Sequence, residues 1–292
     1  MQVIETLAIP HGDAPLGEEQ QQQAINAIEN GKVIFLPQLT FKLTALEQRF
    51  LSPNYVDPKA KNISFDIHSH TLCGVQGSPN DKQQLQAMMK RFAIQARQLV
   101  EHLFPHYQTA LEQARTSFRP VQVSDRKTSY RKDDKRLHVD AFPATPNQGK
   151  RILRVFSNIN PQGEDRVWRV GEPFENVAKR FLPQISNPPP GSAKLLKLLK
   201  ITKSYRTHYD HIMLQIHDRM KADETYQQQA QQCEVRFPPN TTWIVQTDQV
   251  SHAAMSGQYL LEQTFYLPVT AMQDPQRSPL RILEKLTSRS LI

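Results

Sequence analysis

Residues 136–156 read RLHVDAFPATPNQGKRILRVF, and this stretch decides the predicted fold. It places His138 two residues before Asp140, and a second histidine, His252, follows far downstream in QTDQVSHAAMSG. In an extended chain the side chains at i and i+2 project to the same face, so both residues can reach one ion while Val139 points away. Two histidines and one carboxylate form the facial triad that holds non-haem Fe(II) with open coordination positions. The sequence therefore predicts an iron site at His138, Asp140 and His252.

The tripeptide alone is weak evidence, because His-X-Asp occurs by chance in a chain of this size. In the alternative interpretation, His138 caps a turn and Asp140 pairs with Arg136 or Lys135. The residues that follow favour β structure, since a turn at Gly149 separates AFP from the apolar run ILRVF. A β setting suits a metal ligand pair better than a capped turn.

The distal ligand has competitors in the segment THYDHIMLQIH, namely His208 and His211. Their spacing of i and i+3 would place both on one helix face, as metal ligands can be. The apolar helical stripe that follows them favours packing and surface roles instead. We therefore favour His252, which follows the strand-like run WIVQTDQV.

Length and composition predict one large cytoplasmic domain. The chain has 292 residues, of which 38% are hydrophobic, and can bury a large core. No apolar stretch approaches the roughly 18 residues that cross a bilayer, and the N-terminus lacks the pattern of an export signal. Two cysteines, Cys73 and Cys233, are too few for a disulfide framework and are expected to be free thiols.

Residues 1–115 are expected to carry strands and supporting helices. A helix is predicted from Glu18 to Asn30, where Gly31 is a plausible stop. A longer helical pattern runs from Lys82 to Ala114 and ends or kinks near Pro105. We expect this long helix to support a sheet.

Two β-rich blocks, residues 116–171 and 235–270, are expected to supply the core strands. A mostly helical insertion at 172–234 separates them in sequence, with helical patterns near residues 193–201 and 211–220. The prediction is a single α+β domain over residues 1–292 in which the two β blocks together supply the metal ligands.

The net charge of +8, with a pI near 9.4, calls for an anionic partner such as nucleic acid, acidic lipid or an acidic substrate. The approach to His138 is crowded with basic residues: Arg119, Arg126, Lys127, Arg131, Lys132, Lys135 and Arg136. A nucleic-acid-binding β-barrel would interleave such residues with aromatic stacking platforms, and only Tyr130 is available here. No nucleic-acid partner is therefore expected, although a non-catalytic basic β-barrel binding protein is the alternative class.

Longer stretches carry a more specific signal than the triad. They read VIFLPQLTF (residues 33–41), RLHVDAFPATPNQGKRILRVFSNINPQGEDRVWRVGEPFE (136–175) and WIVQTDQVSHAAMSGQYLLEQTFYLP (243–268). Over nearly its whole length the chain resembles bacterial Kdo hydroxylases, which belong to the Fe(II)/2-oxoglutarate-dependent oxygenases. The resemblance implies a double-stranded β-helix (jelly-roll) core, with Fe(II), 2-oxoglutarate and O2 as cofactor and co-substrates, and it places the distal ligand at His252.

The resemblance also implies a reaction. It is the hydroxylation of Kdo (3-deoxy-D-manno-octulosonic acid) at carbon 3 on the lipid A core to give Ko, a modification of lipopolysaccharide. A 2-oxoglutarate oxygenase acting on another anionic substrate is the alternative, and a cupin-like enzyme that uses no 2-oxoglutarate is a third reading. Consumption of 2-oxoglutarate by the iron-loaded protein separates these hypotheses.

In such an oxygenase the distal carboxylate of 2-oxoglutarate needs a cation beside the metal. Many relatives have an arginine shortly after the distal histidine, but residues 256–268 contain none. The strand after the HxD motif offers Arg151 and Arg154. We favour Arg154, because it shares a strand face with Phe156 in an apolar run, whereas Arg151 lies near the turn and is more easily solvated. A salt bridge on the outer strand face is the alternative role for Arg154.

Three further residues are predicted to contact the substrate, namely Arg119, Arg166 and Trp168. A sugar acid needs an arginine for its carboxylate and an aromatic ring for its apolar C–H face. In DRVWRV the period of two places Arg166 and Trp168 on one side of a strand. Trp168 as a core residue and Arg119 as a surface charge are the alternatives.

One basic stretch is a candidate for contact with an anionic membrane surface. Residues 194–206 alternate leucines with basic residues at Lys194, Lys197, Lys200, Lys203 and Arg206. A solvated helix face is the favoured interpretation of this stretch, and membrane contact is the alternative. If the stretch does bind lipid, the protein is peripheral at the inner face of the cytoplasmic membrane.

Overall fold

The computed structural model of the chain describes residues 2–9, 12, 16–123 and 129–292. The strands are β1 (Ile4–Thr6), β2 (Val33–Leu36), β3 (Ile63–Asp66), β4 (Thr71–Cys73), β5 (Glu112–Arg119), β6 (Arg151–Asn158), β7 (Arg166–Gly171), β8 (Gln232–Phe237), β9 (Thr241–Gln246), β10 (His252–Ser256) and β11 (Leu260–Leu267). In this part of the chain a large sheet has the order β1-β2-β9-β6-β11-β5-β3-β4, and a small sheet has the order β10-β7-β8. The α+β jelly-roll prediction is confirmed.

Period-two alternation along β6 separates two environments. Phe156 belongs to the aromatic core between the two sheets, and Arg154 lies two residues before it on the same face. Leu153 and Val155 belong instead to the larger core on the helix side of the large sheet. The strand that follows the HxD motif therefore points one side chain row toward the metal cavity and the other toward the helices.

Four aromatic residues join the two sheets. Trp243 of β9 stacks on Phe237 of β8 with ring centroids 4.0 Å apart, and on Phe156 at 5.3 Å. The Trp168 ring packs edge-on against all three, at 5.1–5.7 Å. Removing one such ring from a packed core costs about 3–5 kcal/mol. This cluster therefore fixes the spacing of the sheets next to the cavity.

The helices are α1 (Glu18–Glu29), α2 (Pro79–Leu103), α3 (Phe174–Phe181), α4 (Ser192–Leu198), α5 (His208–Ala222), α6 (Glu224–Gln229) and α7 (Pro279–Thr287). The helix predicted to stop at Gly31 is present, and Gly31 adopts a positive φ of 72°. Helix α2 begins at a Ser78 capping box with Asp81 and buries its predicted apolar stripe. In the described residues no helix is both long and apolar enough to span a bilayer.

The predicted end of the long helix near Pro105 is confirmed, whereas the rest of the pattern up to Ala114 is not helical. Helix α2 ends at Leu103, just before Pro105, and β5 begins at Glu112. A proline inside a helix removes a hydrogen-bond donor and clashes with the preceding turn. Strand β5 is paired on both sides, by β11 and β3, so tertiary pairing outweighs the helix propensity of EQAR.

Helices α3 to α6 lie between β7 and β8, where the helical insertion is predicted. The division of residues 1–292 into these parts stays a prediction. The HxD tripeptide does not lie on a regular strand. His138 forms an isolated antiparallel bridge with His252, and Asp140 follows in extended chain.

Candidate metal centre

The main chain holds the two histidines side by side. His138 N donates to His252 O at 3.0 Å, and His252 N donates to His138 O at 2.9 Å. Directly paired residues of an antiparallel bridge project their side chains to the same face, and the two imidazole centroids lie 4.6 Å apart. The Asp140 amide is fixed in turn by Thr247 O at 2.8 Å. Backbone hydrogen bonds alone therefore bring the three side chains together.

The ligand atoms of His138, Asp140 and His252 all lie within 4.8 Å of one another, and all three residues are buried. Each histidine hydrogen-bonds through Nδ1 to a carbonyl two residues earlier, Arg136 O for His138 and Val250 O for His252, both at 2.8 Å. This contact assigns the proton to Nδ1 and leaves the Nε2 lone pair for a metal. Val139 is buried in the opposite core, as the i, i+2 argument predicts.

The electrostatics keep the ligands in the forms that bind a metal. Burial and the neighbouring His252 lower the pKa of His138, and burial lowers the pKa of His252, so both imidazoles stay neutral. Burial alone would raise the pKa of the Asp140 carboxyl, but the Arg154 guanidinium holds it well below its ordinary value. Asp140 Oδ2 is buried without a hydrogen bond, although Arg154 Nη2 lies 3.3 Å away. Two neutral imidazoles and an ionised carboxylate with an orphaned oxygen fit Fe(II).

Arg154 belongs to a buried ionic cluster on the large sheet. Its Nη1 lies 3.2 Å from Glu262 Oε1, and the other oxygen of Glu262 contacts Arg119 Nη2 at 2.8 Å. Burial opposes ionisation of Glu262, but Arg119 and Arg154 hold the pKa of its carboxyl below the ordinary value. Arg154 Nε is buried with no hydrogen-bond partner in the described residues. The guanidinium thus faces the metal ligands with donor capacity to spare.

The prediction that Arg151 is more easily solvated than Arg154 is wrong. Arg151 is not solvated at the turn but 0% exposed, and its Nε lies 2.7 Å from Asp248 Oδ2. Its Nη2 donates to Gln249 Oε1 at 2.6 Å. Arg151 therefore anchors the segment that leads into His252, while Arg154 lines the metal cavity. The role of Arg154 toward 2-oxoglutarate stays a prediction.

A cavity of about 550 Å³ opens over the three ligands. The predicted substrate residues Arg119, Arg166 and Trp168 all line it. Trp168 is 2% exposed, and its indole stacks on the His252 imidazole at 5.0 Å and 23°. Its position therefore combines a core role with a place at the cavity floor, and its substrate role stays a prediction.

Arg166 lies at the same floor with 4% exposure. Its Nη1 donates to Gly257 O at 3.0 Å. Gly257 has a φ of +112°, and a Cβ there would lie 2.8 Å from Arg166 Cδ, so this close approach needs glycine.

The other candidates lie elsewhere. His211 Nε2 hydrogen-bonds Ser186 O, and neither His208 nor His211 is among the metal-ligating cluster of the described residues. Arg136 pairs with Asp133 and Glu224 rather than with Asp140. Arg131 and Lys132 line the cavity, which supports the basic approach, whereas Arg126 and Lys127 fall outside the described residues.

The cavity residues missed from the sequence include Glu262, His217 and Lys221. Glu262 is the single carboxylate of the apolar strand β11, and that isolation was its available signal. His217 and Lys221 share one face of α5 at i, i+4 spacing. His217 and Lys221 lie near the metal ligands because of tertiary packing, which the local sequence does not reveal.

The jelly-roll and its two-histidine, one-carboxylate centre define a non-haem Fe(II)/2-oxoglutarate-dependent dioxygenase. Residues 12–290 match the family model of 3-deoxy-D-manno-oct-2-ulosonic acid (Kdo) hydroxylases. The chain belongs to the Kdo hydroxylase family. This confirms the resemblance, the enzyme class and the cofactor set inferred from the sequence.

Solved structures agree with the family match. The Kdo hydroxylase KdoO in complex with α-ketoglutarate and Fe(III) is 49% identical, with a TM-score of 0.97, covering 100% of this chain and 98% of that one. The same enzyme with cobalt(II) is 50% identical, with a TM-score of 0.98 and the same coverage. The comparison with curated proteins gives no match.

Proposed function

We propose that the protein hydroxylates Kdo at carbon 3 on a lipid A precursor, giving Ko, in lipopolysaccharide modification. This proposal rests mainly on the buried His138–Asp140–His252 cluster at the floor of a cavity lined by basic residues. The family match supplies the sugar, and the cavity's arginines and lysines suit its carboxylate.

The residues divide the work within the cavity. His138, Asp140 and His252 would hold the iron, which supplies the oxidation of a C–H bond by O2 at the expense of 2-oxoglutarate. Arg154 would bind the distal carboxylate of 2-oxoglutarate, because its guanidinium is buried 3.3 Å from Asp140 and has an unpartnered Nε. The Arg154 pairs to Asp140 and Glu262 would keep the guanidinium oriented before the co-substrate arrives.

The sheet residues would shape the sugar's position. Arg119 is already bound to Glu262 through Nε at 3.0 Å and Nη2 at 2.8 Å, which holds its charge toward the cavity. Trp168 and Phe156 present apolar surface at the floor and exclude water there. Exclusion of water strengthens every ionic contact inside the cavity.

The lipid part of the substrate would lie outside the cavity, on the segment that contains α4. This segment exposes Leu195, Leu198, Leu199 and Ile201 at 54–79% beside its lysines. Exposed leucines among cations match an anionic membrane surface, where apolar insertion and charge attraction add. These residues support our proposal that the protein is peripheral at the inner face of the cytoplasmic membrane.

The same segment is attached to the cavity wall. Lys203 N donates to Ala144 O at 2.9 Å, and Arg206 Nη2 donates to Pro143 O at 2.5 Å. Pro143 lines the metal cavity. A membrane-bound α4 segment would therefore hold the cavity near the lipid surface that presents the sugar.

The reaction is tested by incubating a Kdo-bearing lipid A precursor with the protein, Fe(II), 2-oxoglutarate and O2. We expect a mass gain of about 16 Da on the sugar, one added oxygen atom, by mass spectrometry. Consumption of 2-oxoglutarate without that gain would rule out the Kdo substrate and leave the oxygenase class. Fragmentation of the product locates the new hydroxyl and checks carbon 3.

The membrane contact is tested by sedimentation with phosphatidylglycerol vesicles and with phosphatidylcholine vesicles. We expect binding to the anionic vesicles, weakened by Leu198→Ser and by Lys197→Glu. Leu46→Ser is the matched control, because Leu46 is 69% exposed outside the α4 segment. Equal binding of all variants would refute the contact.

A further inference from the structure

Helix α5 forms a cavity wall that the iron and 2-oxoglutarate roles do not use. Leu214, His217, Asp218 and Lys221 line the cavity at i, i+3, i+4 and i+7. This spacing defines one continuous helix face. The same cavity is lined by the Arg119–Glu262–Arg154 cluster, whose charged groups are bound to one another. The α5 face therefore adds polar groups to the cavity beyond those of this cluster.

His217 is held with one nitrogen available. Its Nδ1 hydrogen-bonds Val139 O at 2.9 Å, and its ring packs edge-on against His138 at 5.2 Å. Because the carbonyl can only accept, Nδ1 carries the proton and Nε2 is the acceptor of a neutral ring. In the described residues Nε2 has no hydrogen-bond donor.

Lys221 is a buried cation with unused donors. It is 2% exposed, and its Nζ donates to Arg131 O at 3.1 Å. An ammonium has three donors, and within the described chain Nζ has no ion-pair partner. Two carboxylates whose fields act on Lys221 are otherwise engaged: Asp134 pairs with Lys61 at 2.7 Å, and Asp140 belongs to the candidate metal triad.

Burial lowers the pKa of Lys221, and the fields of Asp134 and Asp140 offset this only in part. A buried ammonium without a bound anion is unfavourable. An anionic ligand in the cavity would compensate this charge without breaking any existing ion pair of Lys221. Lys221 therefore differs from Arg119, whose guanidinium is already bound to Glu262.

We propose that Lys221 and His217 form the subsite for the acidic end of the substrate. Lys221 Nζ binds the carboxylate of the sugar acid, and His217 Nε2 accepts a hydrogen bond from one of its hydroxyl groups. The two contacts come from one rigid helix face next to His138, so they fix which carbon of the sugar faces the metal. This inference rests on the proposed Kdo hydroxylase function and names the residues that orient its substrate.

The test compares a Kdo-bearing acceptor with the same acceptor carrying Kdo as its methyl ester. For the unaltered protein we expect the KM of the ester to exceed that of the acid by about 30-fold, since a buried charge pair is lost. Lys221→Met should raise the KM of the acid by a similar factor and leave the ester nearly unchanged. The acid–ester difference then disappears.

Two lysine variants keep the result interpretable. Lys221→Arg restores a cation and should recover much of the preference for the acid. Lys179→Met is the matched control, because Lys179 is exposed on α3 and pairs with Glu175 of its own helix. We expect its KM values for both acceptors to equal those of the unaltered protein.

His217 is tested by His217→Phe, which keeps the ring against His138 and removes the acceptor. We expect more 2-oxoglutarate to be consumed per hydroxylated sugar, by about threefold or more, because a misplaced sugar is missed by the oxidant. A purely structural role would change stability and leave that ratio unchanged.

The outcomes separate the two proposals. No mass gain with any Kdo acceptor overturns the proposed function itself. Hydroxylation with an acid–ester difference that survives in Lys221→Met overturns the subsite alone. If Lys221→Met does not fold, an equal KM for acid and ester in the unaltered protein still overturns it.

Discussion

Strand β6 carries two arginines three residues apart, and their surroundings differ in kind. Arg151 is sealed in a cluster with Asp248 and Gln249, with contacts of 2.7 and 2.6 Å. Arg154 makes longer contacts of 3.3 Å to Asp140 and 3.2 Å to Glu262, and its Nε has no partner in the described residues. The closed cluster fixes the chain, whereas the open cluster keeps capacity for a ligand.

The largest effect is expected when one of the three metal ligands beside the open cluster of Arg154 is removed. His138→Ala, Asp140→Ala and His252→Ala should each abolish succinate formation, because all three side chains are needed to hold the iron. Circular dichroism should show a folded protein in every case. His211→Ala is the control and should keep full turnover; near-normal turnover of His252→Ala would show that the distal ligand lies elsewhere.

Disrupting the closed cluster of Arg151, Asp248 and Gln249 should lower the free energy of unfolding. Arg151→Met leaves Asp248 buried and unpaired, so we expect a loss of about 3–5 kcal/mol in the free energy of unfolding. Denaturant titration measures this loss. In the double variant with Asp248→Leu, much of it should return, because both charges are then absent. An additive double variant would contradict the pairing.

Replacing Arg154 should affect the binding of 2-oxoglutarate more than the stability of the fold. With iron bound, Arg154→Ala leaves Asp140 compensated by the metal and Glu262 compensated by Arg119, so the stability loss should be smaller than for Arg151→Met. The KM for 2-oxoglutarate should rise by about 30- to 100-fold, the effect of losing a buried charged partner. Steady-state kinetics at saturating acceptor measure it. A larger rise in Arg151→Met would reverse the assignment of the two clusters.

The smallest expected effect is a pH dependence of the iron-free protein. The pKa values of His138 and His252 are lowered in the fold, so the unfolded chain binds more protons as the pH falls. Stability is therefore full above the unfolded histidine value near 6.5 and decreases below it, by at most about 1.4 kcal/mol per pH unit and histidine. Melting curves between pH 7.5 and about 5.5 measure this slope. His252→Ala should flatten it, and an unchanged slope would contradict the buried neutral imidazoles.

The sequence was most informative where periodicity is local. The i, i+2 spacing of His138 and Asp140 predicted a shared face, and the apolar stripe of α2 predicted its buried side. The sequence failed where distant partners decide. The local sequence of β5 favours a helix, but pairing with β11 and β3 makes it a strand. The position of Arg151 near a turn predicts solvation, but the side chain is buried against Asp248. Lys221 and Glu262 reach the cavity only through the packing of α5 and β11.

The hydrogen-bonded pair of His138 and His252 also closes the intervening chain into a ring. Residues 139–251 leave the metal centre and return to it at the same point. Helices α3 to α6 belong to this intervening segment of the chain, and α5 supplies a wall of the cavity. Loops inside a closed ring can change length at little entropic cost while the ends stay joined. Changes of length in this helical segment can therefore leave the hydrogen-bonded His138–His252 pair in place.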